Sequence, residues 1–176
     1  MTDLRLRPAR TSDVPGIKEL VAPLALAGVL INKDTVAYYE GIQEFLVVEA
    51  LDDDGRVHLV GCGALHVMWQ DLAEVRTLAT SEAWRGRGVG ATVLAGLVER
   101  ARALGVSRVF CLTFEVEFFG RHGFEVMANQ EQIDPDVFAE LLRSHDEGVA
   151  EYLDLARVKP NTLGNTRMLL QLSPEG

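Results

Sequence analysis

The sequence predicts an α+β fold with strands in the middle and helices flanking them. Three observations carry this. Short runs such as 45–50 and 109–113 are apolar and bounded by turn residues, as buried strands are. Longer runs such as 89–101 repeat their apolar residues at helical spacing. The order along the chain reads β-α-α-β-β-β-α-β-α, then a helical insert at about 134–155, then a last strand.

Leu4 to Arg7 alternates apolar and charged residues and is the first strand. Thr11, Ser12 and Asp13 offer N-cap residues for a helix with Val14, Ile17, Leu20, Val21 and Leu24 on one face. Pro15 falls in its first turn, where proline is tolerated. A second helix is expected from Asp34 to Ile42, with Val36, Tyr39 and Ile42 on one face. Phe45–Ala50 and Val57–Met68 read as strands joined by the turn Asp52-Asp53-Asp54-Gly55, and Gly61 and Gly63 thin the second strand. Leu72–Thr80 is another strand. The next helix carries Val89, Val93, Leu94, Leu97 and Ala101 and ends at Gly105. Val109–Thr113 is a buried strand and Val116–Arg121 a short helix stopped at Gly123. From Asp134, a cap, to Leu155 the pattern is helical, with Phe138, Leu141 and Leu142 lining a face. The acidic side of this stretch reads as a solvated face. A Pro/Gly/Asn loop over 159–165 precedes the final strand, Arg167–Leu172.

The 176 residues suit a single domain over 1–176, with 48% hydrophobic and 24% charged residues, ordinary for a globular protein. The 26 acidic and 17 basic side chains give a net charge of −9, which works against nucleic acid and anionic membranes as partners. Any anion site must therefore be a local island of cationic side chains and backbone N–H groups. Cys62 and Cys111 lie in apolar runs without metal-ligand spacing, and His58 and His66 suggest no metal site. The opening run has no apolar stretch of the signal-peptide kind and no window reaches a membrane span, so a cytoplasmic location is expected.

One such island exists. Between the strand ending at Thr80 and the helix beginning near Gly88 lies Ser81-Glu82-Ala83-Trp84-Arg85-Gly86-Arg87-Gly88-Val89-Gly90. Glycines let successive N–H groups face one concavity, the helix N-terminus adds unpaired donors, and Arg85 and Arg87 add charge. This is a site for a diphosphate. Three glycines also serve a tight strand-to-helix turn, but that turn does not require the flanking arginines. A P-loop would need Gly-Lys-Ser/Thr, which is absent, and a dinucleotide fingerprint would sit in an early βαβ unit.

In Arg85 to Gly90, in the order of strands, and in Phe118-Phe119-Gly120-Arg121-His122-Gly123-Phe124, the chain resembles the GNAT superfamily of acetyltransferases over nearly its whole length. The resemblance implies a mixed, mostly antiparallel central sheet and acetyl-CoA as co-substrate, with no metal. It implies that Arg85, Gly86, Arg87, Gly88, Val89, Gly90 and Ala91 hold the CoA diphosphate. Leu78, Ala79 and Thr80 would run beside pantetheine and the acetyl carbonyl. Superfamily members often dimerise, which keeps a homodimer open.

Further segments resemble the N-acetylglutamate synthase family in its short form without a kinase domain. They are Gly28 to Lys33 with Tyr39 to Phe45, Ala73 to Ala79, Leu112 to Phe119, and Lys159 to Met168. The resemblance implies L-glutamate as acceptor and a place at the first step of arginine biosynthesis. Lys33, Arg76, Thr77, Lys159, Asn165 and Arg167 occupy the segments that match the family's substrate-binding parts. Glutamate carries two carboxylates, so its site needs cations, and bidentate arginine pairing is the usual way to hold one. Each of the four cations can equally be a surface charge, and Arg76, interrupting an apolar strand, fits that reading least.

Direct attack by the amine needs a base, and Glu74, on the central strand, is the candidate, acting through water. It can equally point outward and only balance Arg76. The tyrosine that many superfamily members place on the helix before the closing strands is Phe118-Phe119 here, which leaves the thiolate's proton donor unassigned. His122 reads as a helix-end cap, and Cys111, mid-strand with no histidine at hand, as a core thiol rather than a nucleophile. Two other readings stay open: acetylation of another amine, and acyl-CoA binding without catalysis. A polyamine acceptor would want acidic side chains, against the cationic set.

Overall fold

The computed structural model describes residues 3–127, 133–155 and 164–173. Seven strands form one sheet in the order β1-β2-β3-β4-β5-β7-β6: β1 Leu4–Pro8, β2 Phe45–Leu51, β3 Val57–Trp69, β4 Leu72–Thr80, β5 Arg108–Thr113, β6 Glu125–Val126 and β7 Thr166–Gln171. The helices are α1 Val14–Leu26, α2 Thr35–Glu40, α3 Val89–Ala103, α4 Val116–Arg121, α5 Pro135–Leu141 and α6 Glu147–Tyr152. β1 with β2, β2 with β3, β5 with β7 and β6 with β7 pair antiparallel, and β4 with β5 pairs parallel. This is the mixed α+β, mostly antiparallel arrangement expected. No helix among the described residues is long and apolar enough to cross a membrane.

Contacts divide the chain into two compact units, Met1–His66 with Val75–Leu104, and Val67–Glu74 with Gly105–Gly176. In the first, the five apolar residues expected on α3 are all buried. Gly63 explains how the helix lies so close to β3, since a Cβ there would meet Val93 Cγ1 at 2.7 Å. On another side, Val14, Ile17 and Val21 of α1 join Tyr38, Phe45, Val47, Cys62, Ala64 and Ala79 in one core. The turn at 52–55 closes as expected, with Asp52 N–H donating to Arg56 O at 2.9 Å and Gly55 at φ 75°.

Two expectations in this unit need correction. Val36 and Tyr39 are exposed at 59% and 47%, whereas Tyr38 and Ile42, four residues apart, are the buried pair. Tyr38 is drawn in by Phe45, at 6.1 Å between ring centroids. Asp13 stands at the cap position of α1 but makes no cap bond. Its carboxylate instead takes Arg7 Nη1 at 2.7 Å, Arg7 Nη2 at 2.9 Å and the Arg10 N–H at 2.6 Å.

In the second unit, Phe110, Tyr152, Leu153, Leu72 and Leu169 centre a core in which Phe110 and Tyr152 meet edge to face at 5.5 Å. Arg108 ties Asp71 at 3.1 Å and the Tyr152 hydroxyl at 3.1 Å. The helical stretch expected over 134–155 is two helices, because Asp146 starts a new one by accepting from Val149 N–H. Asp134 caps the first, as expected, with bonds from Asp136 and Val137 N–H. Leu141 is buried and Phe138 packs at the core's margin, but Leu142, past the helix end, is 45% exposed. Nor is the acidic side wholly solvated: Glu151 is only 6% exposed, since the six-residue α6 enters the core around Val149 and Ala150. The short β6 had no sequence signal, both its residues being exposed.

Candidate active site

β4 delivers the chain into the glycine loop. Ser81 N–H bonds Val60 O at 2.8 Å, and a helical turn at Glu82–Trp84 follows. Gly86 and Gly88 then take φ values of 74° and 81°, which favour glycine. A Cβ added at either would meet nothing within 4 Å. Packing inside the protein therefore does not demand glycine here; the backbone conformation does, and the open concavity in front of it remains accessible.

Gly88 is the N-cap of α3, a helix of 15 residues. Thr92 N–H bonds back to Gly88 O at 2.9 Å, so the N–H groups just before it have no intrahelical acceptor. These donors, with the positive end of the helix dipole, suit a phosphate. Arg85 and Arg87 are both exposed beside them. Arg87 is steadied by Trp84, its guanidinium carbon lying 4.9 Å from the ring centroid. Sequence reasoning gave Trp84 no role; its only signal was its place three residues before Arg87. Thr80 and Arg85 also border a cleft of about 400 Å³ shared with Leu20, Leu24 and Leu59. The loop thus fits a CoA diphosphate on its own geometry.

Upstream on β4, Thr77 has φ 56° and is 8% exposed. A β-branched residue in this region stores on the order of 1–3 kcal/mol of strain. The strand therefore kinks between Arg76 and Leu78. Ala79 is buried, and Leu78 and Thr80 are half-buried. Arg76 and Lys33 are half-buried as well.

In the other unit, Glu74 is 7% exposed, which overturns the outward-facing alternative. It stands opposite Phe110 in the parallel β4–β5 ladder. The neighbouring Cys111 thiol is pushed well up from its ordinary value, first by burial and then by the Glu74 charge. It is a core thiol, held in its inert form at neutral pH. Arg167 Nη1 donates to Tyr152 O at 3.3 Å and Nη2 lies 3.9 Å from Asp154 Oδ2, so its guanidinium is anchored at the end of α6. Asn165 places a buried Oδ1 with no hydrogen-bond partner, an acceptor that suits a ligand N–H. His122 Nδ1 lies 2.8 Å from Phe118 O and caps α4 as expected. Lys159 lies outside the described residues. Among the described residues no cluster of three metal-ligating side chains occurs.

The family model for the acetyltransferase (GNAT) family matches residues 25–124. An amino-acid acetyltransferase of Mycobacterium tuberculosis is 53% identical over 167 residues, covering 95% of this chain and 94% of that protein. An amino-acid acetyltransferase of Neisseria meningitidis is 33% identical over 128 residues, which are 72% of this chain but only 28% of that protein. Among solved structures, a Mycobacterium tuberculosis protein in complex with CoA superposes with a TM-score of 0.88 at 51% identity, covering 96% of this chain and 99% of that one. N-acetylglutamate synthase of Neisseria gonorrhoeae, complexed with CoA and N-acetyl-glutamate, gives a TM-score of 0.73 at 25% identity, covering 97% of this chain and 35% of that one.

Proposed function

The chain belongs to the acetyltransferase (GNAT) family, and on that premise we propose that it moves acetyl from acetyl-CoA to the α-amine of L-glutamate. It is an acyltransferase using acetyl-CoA as co-substrate, and its relatives act on amino acids by name. The glutamate reading, with a place at the first step of arginine biosynthesis, is supported by the synthase of Neisseria gonorrhoeae, which is complexed with CoA and N-acetyl-glutamate and shares this fold over part of its length.

The observation that carries the reading is the Gly86–Gly88 turn at the head of α3, with open space where side chains would stand. In our reading the N–H groups from Arg87 to Ala91 bind the diphosphate while Arg85 and Arg87 neutralise it. Leu78, Ala79 and Thr80 guide pantetheine and the acetyl group. Arg76 and Lys33, with Lys159, Thr77 and Asn165, receive the amino acid, and Arg167 adds positive charge from its anchored position. Glu74, through water, takes the proton that the amine sheds as its nitrogen bonds the acetyl carbon, and the carbon–sulfur bond breaks to release CoA as a thiolate that takes a proton from water. No thiol intervenes: Cys111 is buried and protonated, so attack is direct. Residues 1–176 serve as one acetyltransferase domain.

Incubating the protein with acetyl-CoA and nitrogen-15 L-glutamate, then weighing the products by mass spectrometry, tests this. Labelled N-acetylglutamate is expected. No labelled product, from protein that binds acetyl-CoA, would overturn the assignment of glutamate.

A further inference from the structure

The kink in β4 is bridged by a side chain from β3. The carbonyl of Thr77, the residue at φ 56°, accepts from Cys62 Sγ at 3.6 Å. Cys62 is 0% exposed and is surrounded by Tyr38, Phe45, Val47, Ala64 and Ala79. Burial pushes this thiol up to about 12, so it keeps its S–H to donate at neutral pH. A thiol is a weak donor, and it is small enough to fill a core position while serving the Thr77 carbonyl. An aliphatic side chain would fill the same space without that hydrogen bond.

We propose that Cys62 is a positioning residue: its S–H holds the Thr77 carbonyl and so fixes the peptide unit that joins Thr77 to Leu78. The inference deepens the reading given above, on which the Leu78 backbone guides the acyl arm of acetyl-CoA. The diphosphate loop of that reading begins at Arg85, further along the chain than the bonded carbonyl. Losing the bridge therefore separates two properties that a general loss of folding would move together.

The test compares Cys62→Ala with Cys62→Ser, since serine keeps a donor and an acceptor on a slightly shorter arm. Three quantities are read: turnover, affinity for 3′-phospho-ADP by calorimetry, and the amide resonances of Leu78 and Ala79 in nitrogen-15 spectra. For the alanine variant, kcat falls by about tenfold or more, as expected when reacting groups are misaligned. Its 3′-phospho-ADP affinity stays within about twofold. The Leu78 amide shifts, and the serine variant moves both kcat and that amide back toward wild type. An unmoved Leu78 amide with unchanged kcat, or equal losses in alanine and serine variants, would overturn the proposal. If alanine prevents folding, the serine variant decides: near-wild-type kcat supports the bridge, and a loss matching that of a Cys62→Val variant contradicts it. Wild-type protein that acetylates no glutamate would sink the substrate reading alone, because the amide shifts still judge Cys62.

Discussion

The guanidinium of Arg87 lies 4.9 Å from the centre of the Trp84 ring, so the indole acts as a platform for a cation of the diphosphate loop. At a half-exposed site such a contact contributes about 0.5–1 kcal/mol. Trp84→Ala is therefore expected to raise KM for acetyl-CoA about two- to fivefold with kcat little changed. Steady-state kinetics checks it, and an unchanged KM would remove Trp84 from the site.

Gly88 and Gly105 both sit at positive φ, 81° and 80°, and neither would place a Cβ within 4 Å of another group. Valine strains the backbone at either position. At Gly88 it also stands in front of the loop's N–H groups. Gly88→Val is expected to weaken CoA binding by more than about tenfold, consistent with lost charge-assisted hydrogen bonds, in a protein whose circular dichroism is native. Gly105→Val should lower Tm and leave CoA affinity alone. Equal effects on affinity would show that strain, not access, decides.

Glu74 and Cys111 are neighbours with opposite expectations. Glu74→Gln should cost kcat about a hundredfold or more, the size of a lost general base, with KM values nearly kept. Cys111→Ala should retain turnover within a factor of about three. A collapse of turnover in the cysteine variant would bring back a covalent acetyl-enzyme.

Arg76 is a half-buried cation on β4 and is the first candidate for a substrate carboxylate. Arg76→Ala is expected to raise the glutamate KM by about tenfold or more, since hydrogen bonds to charged groups contribute about 1.5–3 kcal/mol. KM for acetyl-CoA should stay nearly constant. Equal shifts in both constants would assign Arg76 to the strand and not to the substrate.

Arg7 joins β1 to Asp13 and, through Nε at 2.8 Å, to Glu49. Its hydrogen bonds hold both carboxyls below the usual carboxylate range. The unfolded chain then binds more protons than the folded one. The stabilisation is complete above the unfolded carboxylate value, about pH 4, and is lost as pH falls through the lower folded values. Chemical denaturation from pH 7 down to pH 2 should show this loss in wild type. Asp13→Asn should be less stable at pH 7 by roughly 1–2 kcal/mol and flatter toward acid.

The parts legible in the sequence are those set by local pattern. Val89, Val93, Leu94, Leu97 and Ala101 are separated by helical steps with no rival periodicity, and all are buried. The turn at the head of α3 was legible because its glycines stand between an apolar strand and an apolar helix. Val36 and Tyr39 were placed on the wrong face because two overlapping helical spacings compete there, and Phe45, a tertiary neighbour of Tyr38, decides between them. The break at 142–146 was hidden because Asp146 resembles any acidic helical residue until its cap bond is seen. Thr77 gave no warning, since threonine is a poor choice for positive φ. The Arg7–Glu49 pair spans 42 residues, and Cys62–Thr77 joins two strands, so both need the register of the sheet.

The measurement to make first is thiol release from acetyl-CoA by a colorimetric assay, with L-glutamate set against glutamine, aspartate, lysine and spermidine. Release with glutamate well above the other four is the expected result and makes Lys33, Arg76, Lys159 and Arg167 the next targets for mutation. Stronger release with glutamine, lysine or spermidine, from protein that binds acetyl-CoA, would contradict glutamate as the acceptor.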